Sequence, residues 1–267
     1  MAIAVIGAGK LGEQILSGLL KSGRPADQVL ATARRPERAA ELAERYGIRP
    51  VSNETAVAEA DVLLIGVKPQ DAGALLASLR PLITPGKLIV SLCAGLPTSF
   101  FADRLPDDVP VVRVMTNTPA LVEEAMSVLS AGAHATDEHL AVAEEIFQPI
   151  GRTRRVPESY QDAVTAVSGS GPAYFFLMVE AMVDAGVLLG LPRPVARELA
   201  VQTAVGSAAM LRDAGESPAA LREMVTSPAG TTAAALRELE RHGLRTAFTD
   251  ALEAARDRAA EIATKNT

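Results

Sequence analysis

Short apolar runs alternate with helix-like segments from residue 2 to about residue 156. The runs are rich in Val, Ile or Leu, and they lie at Ile3–Ile6, Val29–Ala33, Val62–Val67, Leu88–Leu92, Val111–Met115 and Met126–Leu129. Uninterrupted apolar runs of this length are typical of strands buried on both faces of a parallel sheet. Between the runs, apolar residues recur at three- and four-residue steps in Lys10–Lys21, Pro36–Tyr46, Glu54–Ala60 and Gln70–Leu79. The alternation predicts an α/β fold with a doubly wound, mostly parallel sheet.

The pattern changes after about Pro157. The later segments are long, rich in Ala and Leu, and free of β-branched runs; they are Ala173–Gly190, Pro194–Leu211, Pro218–Val225, Thr231–Arg241 and Arg245–Ala263. Several prolines stand where these segments begin, a position at which the missing N–H costs a helix nothing. We therefore predict two domains, an α/β domain over residues 1–157 and an all-helical domain over residues 158–267.

Composition excludes several classes of partner. The chain has 267 residues, a net charge of −6 and a pI near 5.2, which argues against nucleic acid. The single cysteine, Cys93, and three scattered histidines predict neither a disulfide framework nor a metal site. Glu180 and Asp184 interrupt the apolar stretch Ala173–Leu191, so we expect no membrane span. The first strand begins almost at Met1, which leaves no room for a signal peptide and predicts a cytoplasmic protein.

A glycine-rich motif connects the first predicted strand to the first helix. Gly7, Gly9 and Gly12 fit the pattern G-x-G-x-x-G in the strand–turn–helix context that dinucleotide binding requires. The first glycine allows the tight turn, the second lets the backbone approach a pyrophosphate, and the third permits close packing of helix on strand. The free N–H groups at the start of the helix face the anion. The motif predicts a Rossmann-type dinucleotide site.

The end of the second predicted strand indicates which dinucleotide is bound. A carboxylate here would bind the ribose 2′-hydroxyl of NAD, but the sequence Ala31–Pro36 contains none. Arg34 and Arg35, with the hydroxyl of Thr32, suit a 2′-phosphate instead. We therefore favour NADPH, with NADH as the weaker alternative. The other interpretation is that both arginines are solvated at the start of a helix.

The second half of the chain has few side chains for acid–base chemistry. Lysine occurs at positions 10, 21, 68 and 87 and then only at 265, so no lysine acts from the helical half. We expect His134, His139 and His242 to be structural or solvated. Two small polar segments, Ser168–Tyr174 and Thr226–Thr232, precede helices and offer N–H groups and hydroxyls to a carboxylate, although ordinary helix capping explains them equally well. A protonated cyclic imine would suit this inventory, because its carbon already accepts hydride.

Several segments resemble the pyrroline-5-carboxylate reductase family. They are Ile6–Gly12, the V-K-P-Q of Val67–Gln70, Met115–Val122, Asp162–Tyr174 and Leu221–Glu240. They cover nearly the whole chain in order and spacing. The resemblance implies NAD(P)H-dependent reduction of 1-pyrroline-5-carboxylate to L-proline, the last step of proline biosynthesis. It also implies that the helical domain forms a homodimer, and it leaves larger assemblies open.

The resemblance carries site residues over to matching positions. The implied cofactor contacts are Ile6, Gly7, Ala8, Gly9, Lys10, Leu11, Gly12, Arg34, Arg35, Asn53, Val67, Lys68, Pro69, Cys93 and Ala94. The implied substrate contacts are Glu158, Ser227, Gly230, Thr231 and Thr232, with Thr232 at the ring nitrogen as the catalytic residue. Asn53 could instead cap a helix, Lys68 could be a solvated loop lysine, and Glu158 could be a surface carboxylate. We expect Cys93 to be a small buried residue whose backbone, rather than its sulfur, matters.

The sequence departs from the family pattern at two positions. Thr116 stands where the family usually has proline, which leaves the shape of that turn and the position of Asn117 near the nicotinamide open. Ala229 stands where glycine is usual and would stiffen the loop if that position needs a positive φ. The rival functions are a two-domain 3-hydroxy acid dehydrogenase, which the missing helical lysine disfavours, and a dinucleotide-binding sensor or carrier without catalysis.

Overall fold

The computed structural model describes residues 1–266 of the chain. Eight strands occur, namely β1 Ile3–Ile6, β2 Val29–Thr32, β3 Arg49–Pro50, β4 Val62–Ile65, β5 Leu88–Ser91, β6 Val111–Met115, β7 Ala125–Ala131 and β8 Gly151–Arg155. They form one sheet in the order β3-β2-β1-β4-β5-β6-β7-β8. All neighbours are parallel except β6 and β7, which are antiparallel. The predicted doubly wound, mostly parallel sheet is confirmed.

Twelve α-helices accompany the sheet in the described part of the chain. They are α1 Lys10–Lys21, α2 Pro36–Tyr46, α3 Asn53–Glu59, α4 Pro69–Leu79, α5 Thr98–Ala102, α6 Asp137–Phe147, α7 Gln161–Val164, α8 Gly171–Leu188, α9 Arg193–Asp213, α10 Pro218–Met224, α11 Thr231–Arg241 and α12 Leu244–Asn266. A π-helical segment, Thr165–Gly169, connects α7 to α8. The expectation that Ser168–Tyr174 precedes its helix is therefore wrong. Ser168 and Gly169 belong to the π-helical segment, α8 already begins at Gly171, and the N–H of Ser170 is bonded to the carbonyl of Thr165 at 2.8 Å.

Alternation along the strands divides the apolar residues between the two faces of the sheet. In β1, Ile3 and Val5 belong to one core cluster, which α1, α2 and α6 cover. Ala4 and Ile6 belong to the other cluster, beneath α3, α4 and α5. Successive side chains of a strand point to opposite faces, so a strand covered by helices on both sides is apolar throughout. All four residues of β1 are buried for this reason.

The strand order creates the position of the site. β1 pairs with β2 on one side and with β4 on the other, so the chain winds outward in opposite directions from β1. The loops that follow β1 and β4 consequently diverge at their carboxyl ends and leave a crevice, which is where open α/β sheets bind ligands. The residues just after β1, β2 and β4 are those at which the sequence predicts cofactor contacts.

The chain divides into two compact units. One comprises Met1–Ser170 together with the chain from Ala254 onward, and the other comprises Gly171–Glu253. The domain boundary near residue 157 stays a prediction. The second unit buries a cluster of only small apolar side chains, formed by Val183, Ala196 and Ala200.

Helix α8 leaves large apolar side chains exposed, among them Phe175, Phe176 and Leu177. The helical run Glu158–Leu188 has the length and the mean hydropathy, 1.4, of a membrane-spanning helix, and 11% of its most apolar stretch is buried. Glu180 and Asp184 therefore do not exclude a span by length and hydropathy, and the expectation of no membrane span stays a prediction. One helix of this kind is weak evidence for a membrane. An exposed apolar face is also typical of an interface with another protein chain.

Candidate functional site

A cavity of about 980 Å³ lies at the carboxyl ends of β1, β2 and β4. Its volume is at the upper end of the range for small-molecule sites, about 300–1,000 Å³. The predicted cofactor residues that line it are Ile6, Gly7, Ala8, Gly9, Lys10, Arg34, Arg35, Asn53, Val67 and Lys68. The structure therefore brings residues from four separate parts of the sequence to one cavity.

The turn after β1 has the backbone that phosphate binding requires. Gly7 has φ +81°, and a Cβ there would lie 2.6 Å from Cγ1 of Val67, so only glycine fits. Two hydrogen bonds to Thr32 hold the turn: the N–H of Gly7 donates to Oγ1 at 3.1 Å and the N–H of Ala8 donates to the carbonyl at 2.9 Å. The hydroxyl of Thr32 thus supports the turn, a role that the sequence did not predict.

Helix α1 begins beside this turn without a side-chain cap. Gly9 is its N-cap residue, and no side chain accepts a hydrogen bond from the first N–H groups of the helix. These groups and the positive end of the helix dipole are what an anionic pyrophosphate needs. Gly12 packs the helix closely on β1, since a Cβ there would lie 2.8 Å from Cγ1 of Val5. Gly12 therefore shapes the site from behind and does not line the cavity.

Four other predicted cofactor residues do not line the cavity, and their contacts with a cofactor stay predictions. Leu11 packs against the core cluster on its face of the sheet, and Pro69 is the first residue of α4. Cys93 is buried, and its Sγ lies 3.4 Å from the carbonyl of Val67, to which it donates. Burial raises the pKa of the Cys93 thiol to about 11, so the sulfur stays a protonated thiol at neutral pH. Ala94 is exposed just after it.

The two arginines after β2 have different surroundings. The guanidinium of Arg34 forms an ion pair with Asp71 of α4 at 2.8 Å. The side chain of Arg35 is exposed and has no ion pair or hydrogen bond among the described residues 1–266. The first turn of α2 lies directly behind them, and Pro36 is its first residue. Both guanidiniums are at the end of the cavity where a Rossmann fold binds the 2′ substituent of the ribose.

Asn53, which follows β3, and Lys68, which follows β4, also line the cavity. Ser52, not Asn53, caps helix α3, because its Oγ accepts the N–H of Thr55 at 3.1 Å. The capping interpretation of Asn53 is therefore wrong, and its side chain remains available to a ligand. Lys68 is exposed at the N-terminus of α4 and lines the cavity after β4.

The cavity also contains side chains that the sequence analysis did not select. They are Glu13, Arg38, Glu41, Gln70, Asp71 and Leu75. Each lies on a helix within about two turns of a predicted contact, so the helical period could have indicated them. The partners of Glu13 and Asp71, however, are far away in the sequence and have no local signal.

Glu13 is the centre of an ion-pair network between α1 and α2. Its carboxylate accepts hydrogen bonds from Arg38, from Arg45 at 2.9 Å and from the hydroxyl of Tyr46 at 2.9 Å. Arg38 also donates from Nε to the carbonyl of Ala8 at 3.4 Å, which connects the network to the phosphate-binding turn. Burial raises the pKa of Glu13, but the hydrogen bonds and charges of these partners outweigh it and lower the pKa below its usual value.

In the second unit, a tight loop precedes α11. Gly230 is the N-cap residue, and its N–H donates to the carbonyl of Ser227 at 3.1 Å. A Cβ on Gly230 would collide with Oγ of Ser227. Thr231 and Thr232 form the first turn of the helix, which has no side-chain cap, so their N–H groups and hydroxyls are placed to bind an anion.

The same loop contains a residue in a strained conformation. Ala229 has φ +56°, in the left-handed region that favours glycine. The position that carries alanine instead of the usual glycine thus does require a positive φ.

The carboxylate of Glu158 binds other residues of the first unit. One carboxylate oxygen accepts the N–H of Thr98 at 2.7 Å, and the other accepts its hydroxyl at 2.6 Å. Arg113, a mostly buried guanidinium, lies 3.4 Å from the same carboxylate. These contacts connect the start of α5 to β6 and to the segment before α7. They give Glu158 a structural role, and its substrate contact stays a prediction.

Thr116, the first departure from the family pattern, and its neighbour Asn117 both form hydrogen bonds. Oγ1 of Thr116 accepts a hydrogen bond from Ser127 at 2.9 Å, so the hydroxyl joins β6 to β7. The amide of Asn117 donates to the carbonyl of Ser168 at 3.1 Å and accepts the N–H of Met126 at 3.0 Å. Asn117 therefore fixes the π-helical segment to the end of the sheet.

The histidines have structural surroundings. Nδ1 of His139 accepts the N–H of Thr136 at 3.0 Å as part of the capping box of α6. His134 lies 3.5 Å from Asp108, and His242 is the C-cap residue of α11. Within the described residues, no cluster of three or more His, Cys, Asp or Glu could hold a metal ion.

Two family models match the chain. The model described as pyrroline-5-carboxylate reductase dimerisation matches residues 158–262, and the model described as NADP oxidoreductase coenzyme F420-dependent matches residues 2–95.

Relatives named pyrroline-5-carboxylate reductase come from distant organisms. Pyrroline-5-carboxylate reductase of Mycobacterium tuberculosis is 43% identical, with 97% of this chain and 96% of the relative covered. The enzyme of the same name from Glycine max is 40% identical, with 97% and 95% covered.

Two solved structures have the same fold over nearly their whole length. A pyrroline-5-carboxylate reductase from Coxiella burnetii superposes with a TM-score of 0.93 at 33% identity, covering 97% of each chain. Plasmodium falciparum pyrroline carboxylate reductase, solved with NADP bound, gives a TM-score of 0.88 at 27% identity, covering 98% of each chain.

The Glu13 network makes a prediction about stability and pH. Because the pKa of Glu13 is lowered in the folded state, its stabilisation is complete above its usual pKa of 4.5 and is lost as the pH falls through the folded value. We expect Glu13→Gln to lower the free energy of unfolding by about 1–2 kcal/mol at pH 7. The difference from the parent should shrink below pH 4.5, as measured by urea denaturation across pH. Glu37→Gln, an exposed carboxylate on α2, is the control and should have no such effect; an equal loss at every pH for Glu13→Gln would contradict the prediction.

The strained loop makes a second prediction. Replacing Ala229 by glycine removes a left-handed strain of about 1–2 kcal/mol and adds an entropic cost of about 0.5–1 kcal/mol. We expect Ala229→Gly to raise the free energy of unfolding by about 0.5–1 kcal/mol. Ala234→Gly, inside α11, is the matched control and should lower it by about 1 kcal/mol. Destabilisation by both changes would show that Ala229 is not strained.

Proposed function

The chain belongs to the pyrroline-5-carboxylate reductase family, and from this membership we propose that it uses NADPH in preference to NADH and holds its substrate at the Ser227–Thr232 loop. It is an NAD(P)-dependent oxidoreductase that reduces 1-pyrroline-5-carboxylate to L-proline, which places it in proline biosynthesis. The observation that carries the cofactor proposal is the cavity at the carboxyl ends of β1, β2 and β4. A glycine turn and Arg35 line it, the Arg35 side chain has no partner among residues 1–266, and no carboxylate follows β2 as far as Pro36.

The described residues fit a dinucleotide. Gly7 permits the tight turn, since a Cβ there would collide with Val67, and the uncapped start of α1 leaves N–H groups for a pyrophosphate. Arg34 and Arg35 supply positive charge at the end of the cavity where the 2′-phosphate binds, and Asn53 and Lys68 supply further donors. When bound, NADPH supplies the hydride. The residues of the chain bind it and fix its orientation.

The loop before α11 supplies what the substrate needs. The N–H groups of Thr231 and neighbouring residues hold the carboxylate, with the Ser227 hydroxyl beside them. The hydroxyl of Thr232 contacts the ring nitrogen and orients the imine. A protonated imine carbon accepts hydride without a protein acid, so the chain contributes position and electrostatic complementarity. Lysine is absent between positions 88 and 264, in agreement with this mechanism.

The helical unit suits assembly with a second copy of the chain. Its helix α8 exposes Phe175, Phe176 and Leu177, and the family model that matches this region describes dimerisation. An exposed apolar face of this kind is stable in water only when another surface covers it. We propose a homodimer in the cytoplasm, with assembly beyond the dimer left to measurement.

The reaction is tested by following NADPH oxidation with 1-pyrroline-5-carboxylate, beside a 3-hydroxy acid with NADP. We expect the imine to be reduced and the hydroxy acid to be left unchanged. Absence of imine turnover at saturating NADPH would contradict the assignment. Turnover of the hydroxy acid would instead favour the dehydrogenase alternative, and binding of NADPH with no turnover of either would favour a carrier.

Thr232 gives the first mechanistic prediction. A hydrogen bond to a charged partner is worth about 1.5–3 kcal/mol, so Thr232→Ala should lower kcat by about 10- to 100-fold. The dissociation constant for NADPH should stay nearly unchanged, because the loop does not bind the cofactor in this proposal. Thr249→Ala, an exposed threonine on α12, is the control with parental turnover. Unchanged kcat for Thr232→Ala would remove this residue from the mechanism.

The arginine pair gives the second prediction. The double variant Arg34→Ala with Arg35→Ala should raise KM for NADPH by about 10-fold or more and change KM for NADH far less, because only NADPH carries the 2′-phosphate. Arg152→Ala, an exposed arginine of β8, controls for the loss of positive charge. Equal weakening of both cofactors would mean that the arginines do not read the phosphate.

A further inference from the structure

Adjacent arginines at the end of β2 differ in their freedom to bind a phosphate. The charge of Arg34 is balanced by the carboxylate of Asp71, 2.8 Å from its guanidinium. Arg35 has no such partner among residues 1–266, and its side chain is exposed at the cavity. A guanidinium that already binds a carboxylate attracts a second anion less strongly than a free one, because the field of the carboxylate opposes it.

The ion pair between Arg34 and Asp71 crosses the cavity. Arg34 follows β2, whereas Asp71 lies in the first turn of α4, which follows β4. β1 stands between these two strands in the sheet, so the pair bridges the carboxyl end of β1. Leu75, one turn beyond Asp71 on the same face of α4, adds an apolar wall to the cavity.

This arrangement suits a flat ring better than a phosphate. The guanidinium is planar and stacks on aromatic faces, and a carboxylate that binds its edge leaves those faces available. With Leu75 on the neighbouring wall, the pair forms an apolar and planar surface of the kind a purine base contacts. Arg35 keeps its full charge and its donors for bidentate binding of a phosphate.

We infer that the two arginines have separate roles, with Arg35 binding the 2′-phosphate and Arg34, which Asp71 positions, contacting the adenine base. This division rests on the proposal that the cavity binds NADPH, and it refines which residue reads which part of the cofactor. Asp71 is then a positioning residue that acts on both cofactors alike.

The test measures binding of two fragments by titration calorimetry to the full-length protein. Adenosine 2′,5′-bisphosphate carries the 2′-phosphate, and adenosine 5′-monophosphate lacks it. The ratio of their dissociation constants isolates recognition of the 2′-phosphate, whereas a common change in both constants reports contact with the base. Arg152→Ala is the control and should change neither constant.

The single arginine variants should separate the two effects. Arg35→Ala should reduce the preference for the bisphosphate by about 10-fold or more, because it removes a charge-assisted contact. Arg34→Ala should weaken both fragments by about 2- to 10-fold and leave their ratio within about two-fold, as expected for loss of a stacking contact. An equal fall in the ratio for both variants would overturn the division of roles.

Asp71 variants test the positioning role. Asp71→Asn should weaken both fragments by about 2- to 5-fold, the size expected from an exposed ion pair, and Asp71→Glu should restore part of the loss. Adding Arg34→Ala to Asp71→Asn should weaken binding no further than Arg34→Ala alone, because the two act through one contact. Tighter binding of the bisphosphate to Asp71→Asn would show that Asp71 only competes with the phosphate, and would overturn the inference.

The double variant Arg34→Ala with Arg35→Ala distinguishes failure of the division of roles from failure of the proposal that the chain prefers NADPH to NADH. If Arg34→Ala with Arg35→Ala weakens NADPH and NADH equally, the arginines do not read the phosphate at all, and the cofactor proposal fails. If the double variant selects against NADPH but the single variants share the loss equally, only the division of roles fails.

Discussion

The site depends on a single backbone constraint, the sharp turn between β1 and α1. Gly7 must take a left-handed conformation beside Val67, and Gly12 must let α1 approach β1, or the uncapped start of the helix would not face the cavity. Thr32 holds the turn through its hydroxyl and its carbonyl. Because β1 lies where the strand order reverses, the same turn forms one side of the crevice between the loops after β1 and β4. The other residues that line the cavity surround this turn.

The chemistry that the chain must supply is modest, and its composition agrees with this. An activated imine needs no protein base, which makes the scarcity of lysine and the structural surroundings of the histidines understandable. Precision of placement is required instead, and we propose that the loop before α11 provides it at some energetic cost, since Ala229 is held in a left-handed conformation. Strain at a binding loop is typical of sites where the surrounding structure fixes the backbone against its preference.

Periodicity was sufficient to predict the buried strands, because burial on two faces forces an uninterrupted apolar run, and it also predicted helices α1 to α4. It did not predict α5 and α6, which cover the sheet as well. It missed β3 and β8, the two edge strands, whose polar residues have no such pattern. The small polar residues of Ser168–Tyr174 indicated a segment before a helix, whereas Ser168 and Gly169 in fact lie in a π-helical segment and α8 begins at Gly171. In the site, the glycines and arginines could be predicted from local motifs. The partners of Glu13 and Arg34 could not, because ion pairs between distant helices are determined only by the packing of the fold.

The most direct measurement follows a label from the cofactor to the product. NADPH carrying deuterium in one of the two positions at C4 is supplied with 1-pyrroline-5-carboxylate, and L-proline is analysed by mass spectrometry and NMR. If the chain only positions an activated imine for direct hydride transfer, one of the two labelled forms should give proline with a single deuterium on the former imine carbon, and the other should give none. Loss of the label to water from both forms would contradict direct transfer and, with it, the account of a site that works by position alone.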